Sequence, residues 1–385
     1  MNSSVGSYSF SYWEKEAYFS EVDLIVVGAG IVGLNAALSF KELRPSATVV
    51  VLERGMIPQG ASSRNAGFAC FGSVSEICDD LESMEVSSVL STLKMRLDGL
   101  RMLKSRVGDD LLQYQPCGGV EVFRTKEDMS MYVDRLHELN QYIESATGLK
   151  HTYEYKKAQQ SDIAIIRKAG GYIFNKHEGL LHPGMMMTAL ESQCRDNNIR
   201  IYYGCQVEAC EDDGAKVLCH IHGGAITTRS LLIATNGFAS HLLDDLEVQP
   251  VRNQVLITSP MAANPLSAGY HFNKGYVYFR PVGDRILIGG GRHLNKDGEQ
   301  TSQFGMTDEI KNYLINFLQA HILNGQKPEI DMEWSGILGV GKTKDPIVKM
   351  TGPRTGIAVR MGGMGVAIGS MIGKSAAQMI HDAVD

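Results

Sequence analysis

The chain has 385 residues, 44% of them hydrophobic and 21% charged, and 37 basic against 43 acidic side chains leave a net charge of −6. That length can bury a large core, in two domains or one elaborate one, and the acidic balance without a basic stripe argues against nucleic acid as a main partner. No run approaches the ~20 apolar residues of a membrane span, and the seven cysteines form no CxxC pair, so the expectation is a cytoplasmic protein with reduced thiols and no membrane span.

Residues 1–19 carry Glu14, Lys15 and Glu16 where a signal peptide would be apolar. They form an N-terminal extension whose Tyr12 and Trp13 either cap the adjoining domain or fray. Asp23 to Arg54 then reads as strand, turn, helix, strand. Leu24 to Val27 is a short β-branched run suited to a strand buried on both faces, and Ile31 to Leu43 shifts to helical spacing. Gly28 permits the tight turn, Gly30 lets backbone approach a pyrophosphate, and Gly33 lets helix and strand pack closely. The helix start at Ile31 and Val32 aims N–H groups at the phosphates, and Glu53 stands twenty residues past Gly33, placed for a ribose hydroxyl. This unit alone does not separate FAD from NAD.

After Arg54 the periodicity stops. The loop Ala61, Ser62, Ser63, Arg64, Asn65, Ala66, Gly67 offers small residues and hydroxyls that can wrap a cofactor larger than a plain βαβ repeat would hold; a flexible linker is the alternative. Amphipathic helices come next, with apolar stripes at 89–107 and 129–143, separated by a strand over 117–123. Pro183 marks a helix start. Residues 200–235 read as a strand meander in which Val207 faces an adenine. It closes at Thr235, Asn236 and Gly237, either a ligand site at a strand's carboxyl end or a plain turn. His220 and His222 share a strand face without a third metal ligand, so no metal is expected. Strands across 251–338, with a helix at 308–323, should form a second, antiparallel sheet. At the end, Gly363, Met364, Gly365 and Val366 open a second helix beside small residues, suited to an electron-rich group.

The fold class expected is therefore α/β with an α+β second domain: a discontinuous Rossmann-like FAD/NAD(P)-binding domain (20–88, 160–249 and 345–385) and an antiparallel-sheet substrate domain (89–159 and 250–344). Seven segments in register, VVGAGIVGL with Glu53-Arg54, ASSRNAG, GLLHP, LLIATNG, YFRPVGDRILIGGG, WSGILGVGKTKDP and GGMGVAIG, give the chain a resemblance to the flavoprotein family of D-amino-acid oxidase, glycine oxidase and sarcosine oxidase. Within it the chain is most similar to the γ-glutamylputrescine oxidoreductases. The resemblance implies noncovalent FAD, since the cysteine or histidine that tethers flavin in some branches has no counterpart. It also implies hydride transfer from the carbon beside a substrate nitrogen to flavin N5, giving an imine that hydrolyses, with oxygen or another electron acceptor closing the cycle.

By position, the resemblance assigns Gly28, Gly30, Ile31, Glu53 and Arg54 to the ADP half and Val207 to the adenine. Residues 62–67 and 235–237 fall to the ribityl chain and the ring, and 363–366 to the pyrimidine edge. Glycine oxidase's carboxylate-binding arginine falls on Leu338, and sarcosine oxidase's oxygen-activating lysine on Leu287. Candidates for the substrate pocket are Arg252, Tyr276, Tyr278, Arg280, Arg292 and Trp334. Of these Arg280 either pairs with a substrate carboxylate or lies as a strand arginine over Tyr278, and Arg64 either holds the cofactor or pins its own loop. The alternatives are an NAD-linked dehydrogenase and a flavoprotein working with a protein electron acceptor on a non-amine substrate.

Overall fold

The computed structural model describes residues 8–158, 163–244 and 246–384. The expected domain boundary at 159/160 lies outside them. Two eight-stranded sheets organise the chain. The first runs in the order Ile347–Met350, Thr355–Val359, Gly224–Ile233, Val22–Val27, Val49–Leu52, Arg200–Tyr202, with the hairpin Val207–Asp212 and Val217–Ile221 attached to Gly224–Ile233. From Thr355–Val359 to Arg200–Tyr202 every pairing is parallel. Leu24, Ile25 and Val26 are fully buried at its centre, as a strand covered on both faces requires.

Helices cover one face. The C-terminal helix Gly365–Val384 lies against Ile31–Leu43 and Val86–Val107. Glycines allow that approach: a Cβ on Gly373 would meet the carbonyl oxygen of Val32 at 2.7 Å, and one on Gly99 that of Ala367 at 2.0 Å. The two ends of the chain are thereby locked into one layer. The expected partition placed 89–159 wholly in the substrate domain, but the buried stripe Val89, Leu93, Leu97, Leu100, Leu103, Val107 joins the nucleotide-side core.

The second sheet runs Ile330–Val340, Gln249–Thr258, Arg285–Gly290, Val277–Val282, Gly269–Phe272, Gly119–Val122, Gly171–Asn175, Tyr153–Lys157. It is antiparallel except where Gly269–Phe272 meets Gly119–Val122. Residues 171–175, assigned by sequence to the nucleotide domain, pair here instead. Two further expectations are corrected locally. The stripe at 129–143 is two helices, Lys126–Val133 and Leu136–Thr147, with Asp134 capping the first and Arg135 preceding the second. The meander's first segment, 200–210, is not one strand: the chain turns at Gly204 (φ +65°), so Arg200–Tyr202 and Val207–Asp212 join different neighbours.

Candidate active site

A crevice opens at the carboxyl ends of the parallel strands, where open α/β sheets bind ligands. Gly28, Gly30, Ile31 and Val32 line it on one side, and Gly362, Gly363, Gly365 and Val366 on the other. The two glycine-flanked helix starts, more than 300 residues apart, thus face one space. Gly28 takes φ +103°, and a side chain there would press on the Ala234 carbonyl at 3.1 Å. Gly33 does not line the crevice; its Cβ would sit 2.0 Å from the Gly28 carbonyl oxygen, so its role is close packing.

Glu53, 6% exposed, ends the second strand. Its carboxylate accepts the N–H groups of Ala29 and Gly55, each at 3.0 Å. Each oxygen keeps acceptor capacity toward the crevice it lines. Arg54 stacks over Phe238, 3.8 Å from the ring centroid, and also lines the crevice, as do Val207, Thr235 and Asn236. Asn236 holds φ +48° while its Oδ1 accepts the N–H groups of Arg360 and Met361 at 3.0 and 3.1 Å. That side chain clips the end of Gly224–Ile233 to the second glycine turn. Gly237 packs against the Leu338 carbonyl and does not line the crevice.

The crevice suits a dinucleotide on observations independent of any resemblance. Its two ends are helix starts, a Cβ on Gly362 or Gly363 would meet only open space, and the buried Thr235 Oγ1 has no hydrogen-bond partner among the described residues. Gly28, Gly30, Glu53, Arg54 and Val207 would hold the ADP half, with Thr235 beside the ribityl chain. Ala61, Asn65 and Gly362 to Val366 would flank the ring.

Ala61, Asn65, Leu338, Met361, Gly362, Gly363 and Val366 border both this crevice and a larger cavity of about 1010 Å³ beneath the second sheet. The loop 61–67 forms the partition. Ser62 Oγ accepts the Ile31 N–H at 2.9 Å, Ser63 turns inward to the Pro58 and Gly60 carbonyls, and Asn65 ties the loop to itself. Met364, Arg64, Ala66 and Gly67 face only the larger cavity. Arg64 donates from Nε to the Ser335 carbonyl and stacks over Phe304 at 4.8 Å, while its own carbonyl accepts the Trp334 indole N–H at 2.9 Å.

Three sequence candidates for substrate contact are redirected. Arg280 is 6% exposed and lines neither cavity. Its Nη1 donates to the carbonyls of Ala66, Gly67 and Leu181 at 3.1, 2.9 and 2.7 Å, so it pins the loop rather than awaiting a carboxylate. Burial brings its guanidinium down to about 10. Arg252 is committed to a two-pronged pair with Glu299, at 2.8 and 2.9 Å. Trp334 is held by its bond to Arg64 and does not line the cavity. Tyr278, Tyr276 and Arg292 do line it. Burial pushes the Tyr278 hydroxyl up to about 12 against an opposing hydrogen bond from Asn253.

Sequence reasoning missed the far wall. Phe68 and His271 face the cavity with ring centroids 4.9 Å apart, and Tyr278 meets Phe68 edge-on at 5.7 Å. Beneath them Arg96 bonds Glu76 at 3.0 Å, and Lys344 bonds Glu76 at 2.9 Å and Asp80 at 2.7 Å. Burial alone would raise the Glu76 carboxyl, but Arg96 and Lys344 outweigh it and hold the group at about 2. None of these carried a motif; they converge only through the fold. His220 pairs with Glu211 at 2.9 Å.

The family described as FAD dependent oxidoreductase (DAO) matches residues 23–379. The chain is 23% identical over 377 residues to a probable oxidoreductase, OrdL, of Haemophilus influenzae, covering 93% of this chain and 82% of that one. Its fold is that of glycine oxidase from Geobacillus kaustophilus (TM-score 0.74, 18% identity, 94% and 95% of the two chains) and of L-proline dehydrogenase from P. horikoshii (TM-score 0.74, 16% identity, 94% of each). FAD replaces the NAD alternative left open by the opening motif. With a family match across nearly its whole length, and a crevice built for a dinucleotide, the chain is an enzyme of the DAO family of FAD-dependent oxidoreductases.

Proposed function

We propose that the enzyme oxidises the C–N bond of a small amine or amino acid, with FAD held noncovalently. The observation that carries this reading is the junction at Ala61, Asn65, Leu338 and Gly362–Gly363, where a dinucleotide crevice opens into a roofed cavity large enough for a small substrate. When bound, FAD supplies the hydride acceptor. The chain's own residues bind and orient. Tyr278 and Phe68 close over the reacting carbon and exclude water. Arg64 and Arg292, which line the cavity, are the cations that meet an anionic end of the substrate.

Leu338 at the junction carries no charge, which favours a substrate other than a simple α-amino acid gripped from that position. The γ-glutamylputrescine oxidoreductases, which the sequence resembles, are the branch this reading favours. Leu287, 6% exposed and packed with Ala66 and Val255, places no amine in that wall to assist oxygen, which favours another acceptor. All seven cysteines are free, and no helix of the described residues is long and apolar enough to cross a membrane, in keeping with a reducing compartment such as the cytoplasm. The test is anaerobic bleaching of the flavin by a panel of amino acids, N-methyl amino acids and γ-glutamyl amines. Bleaching by members of one class names the substrate class; bleaching by none, with hydroxy acids active instead, overturns the amine reading.

A further inference from the structure

One lateral row crosses the sheet that roofs the cavity. Residues paired across strands point to the same face, and the pairing runs Trp334, Val255, Gly289, Tyr278, His271, Glu121. His271 therefore stands between Tyr278, at the cavity, and Glu121, in the protein. A second carboxyl lies behind it: Glu178 Oε2 is 3.9 Å from His271 Nε2. Glu178 is 4% exposed and is held from its other oxygen by the N–H groups of Phe71 and Gly72 at 3.1 and 3.4 Å. Gly119 leaves it room, since a Cβ there would come within 2.0 Å of Oε2. A histidine that opens on a substrate cavity and backs onto a buried carboxyl is placed to take a proton from a ligand, and the carboxyl, once ionised, to stabilise the imidazolium that forms.

We propose that His271, backed by Glu178, is the proton acceptor for the substrate's ammonium group, an inference that rests on the amine reading above. An amine gives up hydride from carbon only when its nitrogen lone pair is free, so an ammonium must first be neutralised. In that step an N–H bond of the ammonium breaks, its electron pair stays on the substrate nitrogen, and a new N–H bond forms on the imidazole. No electron changes hands; the oxidation is the separate loss of hydride.

The surroundings set the proton inventory. The groups placed at His271 are Glu178, Glu76 and its row neighbours Tyr278 and Glu121, while Arg96, Cys70 and Tyr153 surround the same carboxyls. Burial holds the imidazole down, to about 4, with Glu76 acting against that, so it arrives neutral and able to accept. Burial raises Glu178 to about 8 and Glu121 to about 7. These groups titrate as a set, and the set gains acceptor capacity as pH rises through that range.

The test is anaerobic flavin reduction in the FAD-loaded enzyme, comparing wild type with His271→Gln and Glu178→Gln from about pH 7 to about pH 10. General base catalysis contributes about 10²–10⁴-fold. His271→Gln is expected to slow reduction about 100-fold at neutral pH, and the deficit should shrink at least about tenfold at the alkaline end, where the amine arrives neutral. Glu178→Gln should show a smaller deficit with the same recovery, and it decides the matter if the histidine variant loses FAD. A deficit of the same size at every pH, or none, would overturn the proposal, because a purely structural role does not fade as the substrate deprotonates. Independently of turnover, an amine with no α hydrogen should shift the His271 imidazole ¹⁵N resonances through a hydrogen bond from the amine to the neutral ring; resonances that do not move also overturn it. Wild-type flavin that no amine bleaches would instead count against the amine reading itself.

Discussion

Replacing Arg280 with alanine separates a loop anchor from a substrate contact. In the structure one guanidinium nitrogen faces three carbonyls, of Ala66, Gly67 and Leu181. It has two hydrogens, so two of the three contacts are strong at once. Hydrogen bonds to a charged donor contribute about 1.5–3 kcal/mol each. The desolvation of a buried guanidinium offsets part of that sum, and the net loss expected for Arg280→Ala is about 3 kcal/mol. Against a total stability on the order of 5–15 kcal/mol, this is a large fraction. Urea unfolding of apo- and holoprotein reads it directly. Because Ala66 and Gly67 belong to the partition between crevice and cavity, FAD release should also speed up. Arg280→Lys, with a charge but no planar fork, should recover less than half of the loss. The reasoning is refuted if Arg280→Ala unfolds within about 0.5 kcal/mol of wild type while raising only the substrate KM.

Gly33→Ala should cost about 1–3 kcal/mol and weaken FAD retention, because the added Cβ would stand 2.0 Å from the Gly28 backbone oxygen, which cannot move without the turn. Thermal unfolding and fluorescence of released flavin check it. Thr235→Val should act with opposite signs on two states. It removes a partnerless buried hydroxyl and leaves apoprotein at least as stable, yet weakens FAD binding, as unfolding with and without FAD would show. The buried carboxyls predict a pH window. Glu178, raised by burial from an ordinary 4.5 to about 8, contributes stability that is complete below 4.5 and is lost as pH rises through about 8. Its Gln variant should flatten that slope, which is on the order of 2–5 kcal/mol. Glu76, where burial is outweighed by Arg96 and Lys344, contributes in the other direction: its share is present above 4.5 and lost as pH falls through about 2.

The first glycine turn was legible in sequence because its requirements are local. A positive φ at Gly28, a helix start at Ile31 and an acid at the next strand's end lie within one contiguous unit, and short-range sterics select the residues that satisfy them. The second helix start was legible for the same reason, as were the helix stripe at 89–107 and the antiparallel strands between 249 and 340. Arginine roles were not. Arg280 reads as a substrate contact or a strand arginine over Tyr278, Arg252 as a pocket candidate, and Arg64 as a cofactor contact or a pin for its own loop; only tertiary contacts show that the first is spent on carbonyls, the second on Glu299, and the third partly on Ser335.

The sequence by itself determined a dinucleotide-binding turn and the existence of two sheets, since backbone geometry and hydrophobic period are written in neighbouring residues. Tertiary structure alone decided which polar groups face the cavity. Phe68, Glu76, Glu178 and His271 come from three separate stretches of chain and acquire a common chemistry only where the sheet's pairing brings Tyr278, His271 and Glu121 into one row. Burial and charge pairing are sums over such long-range neighbours, and no local pattern encodes them.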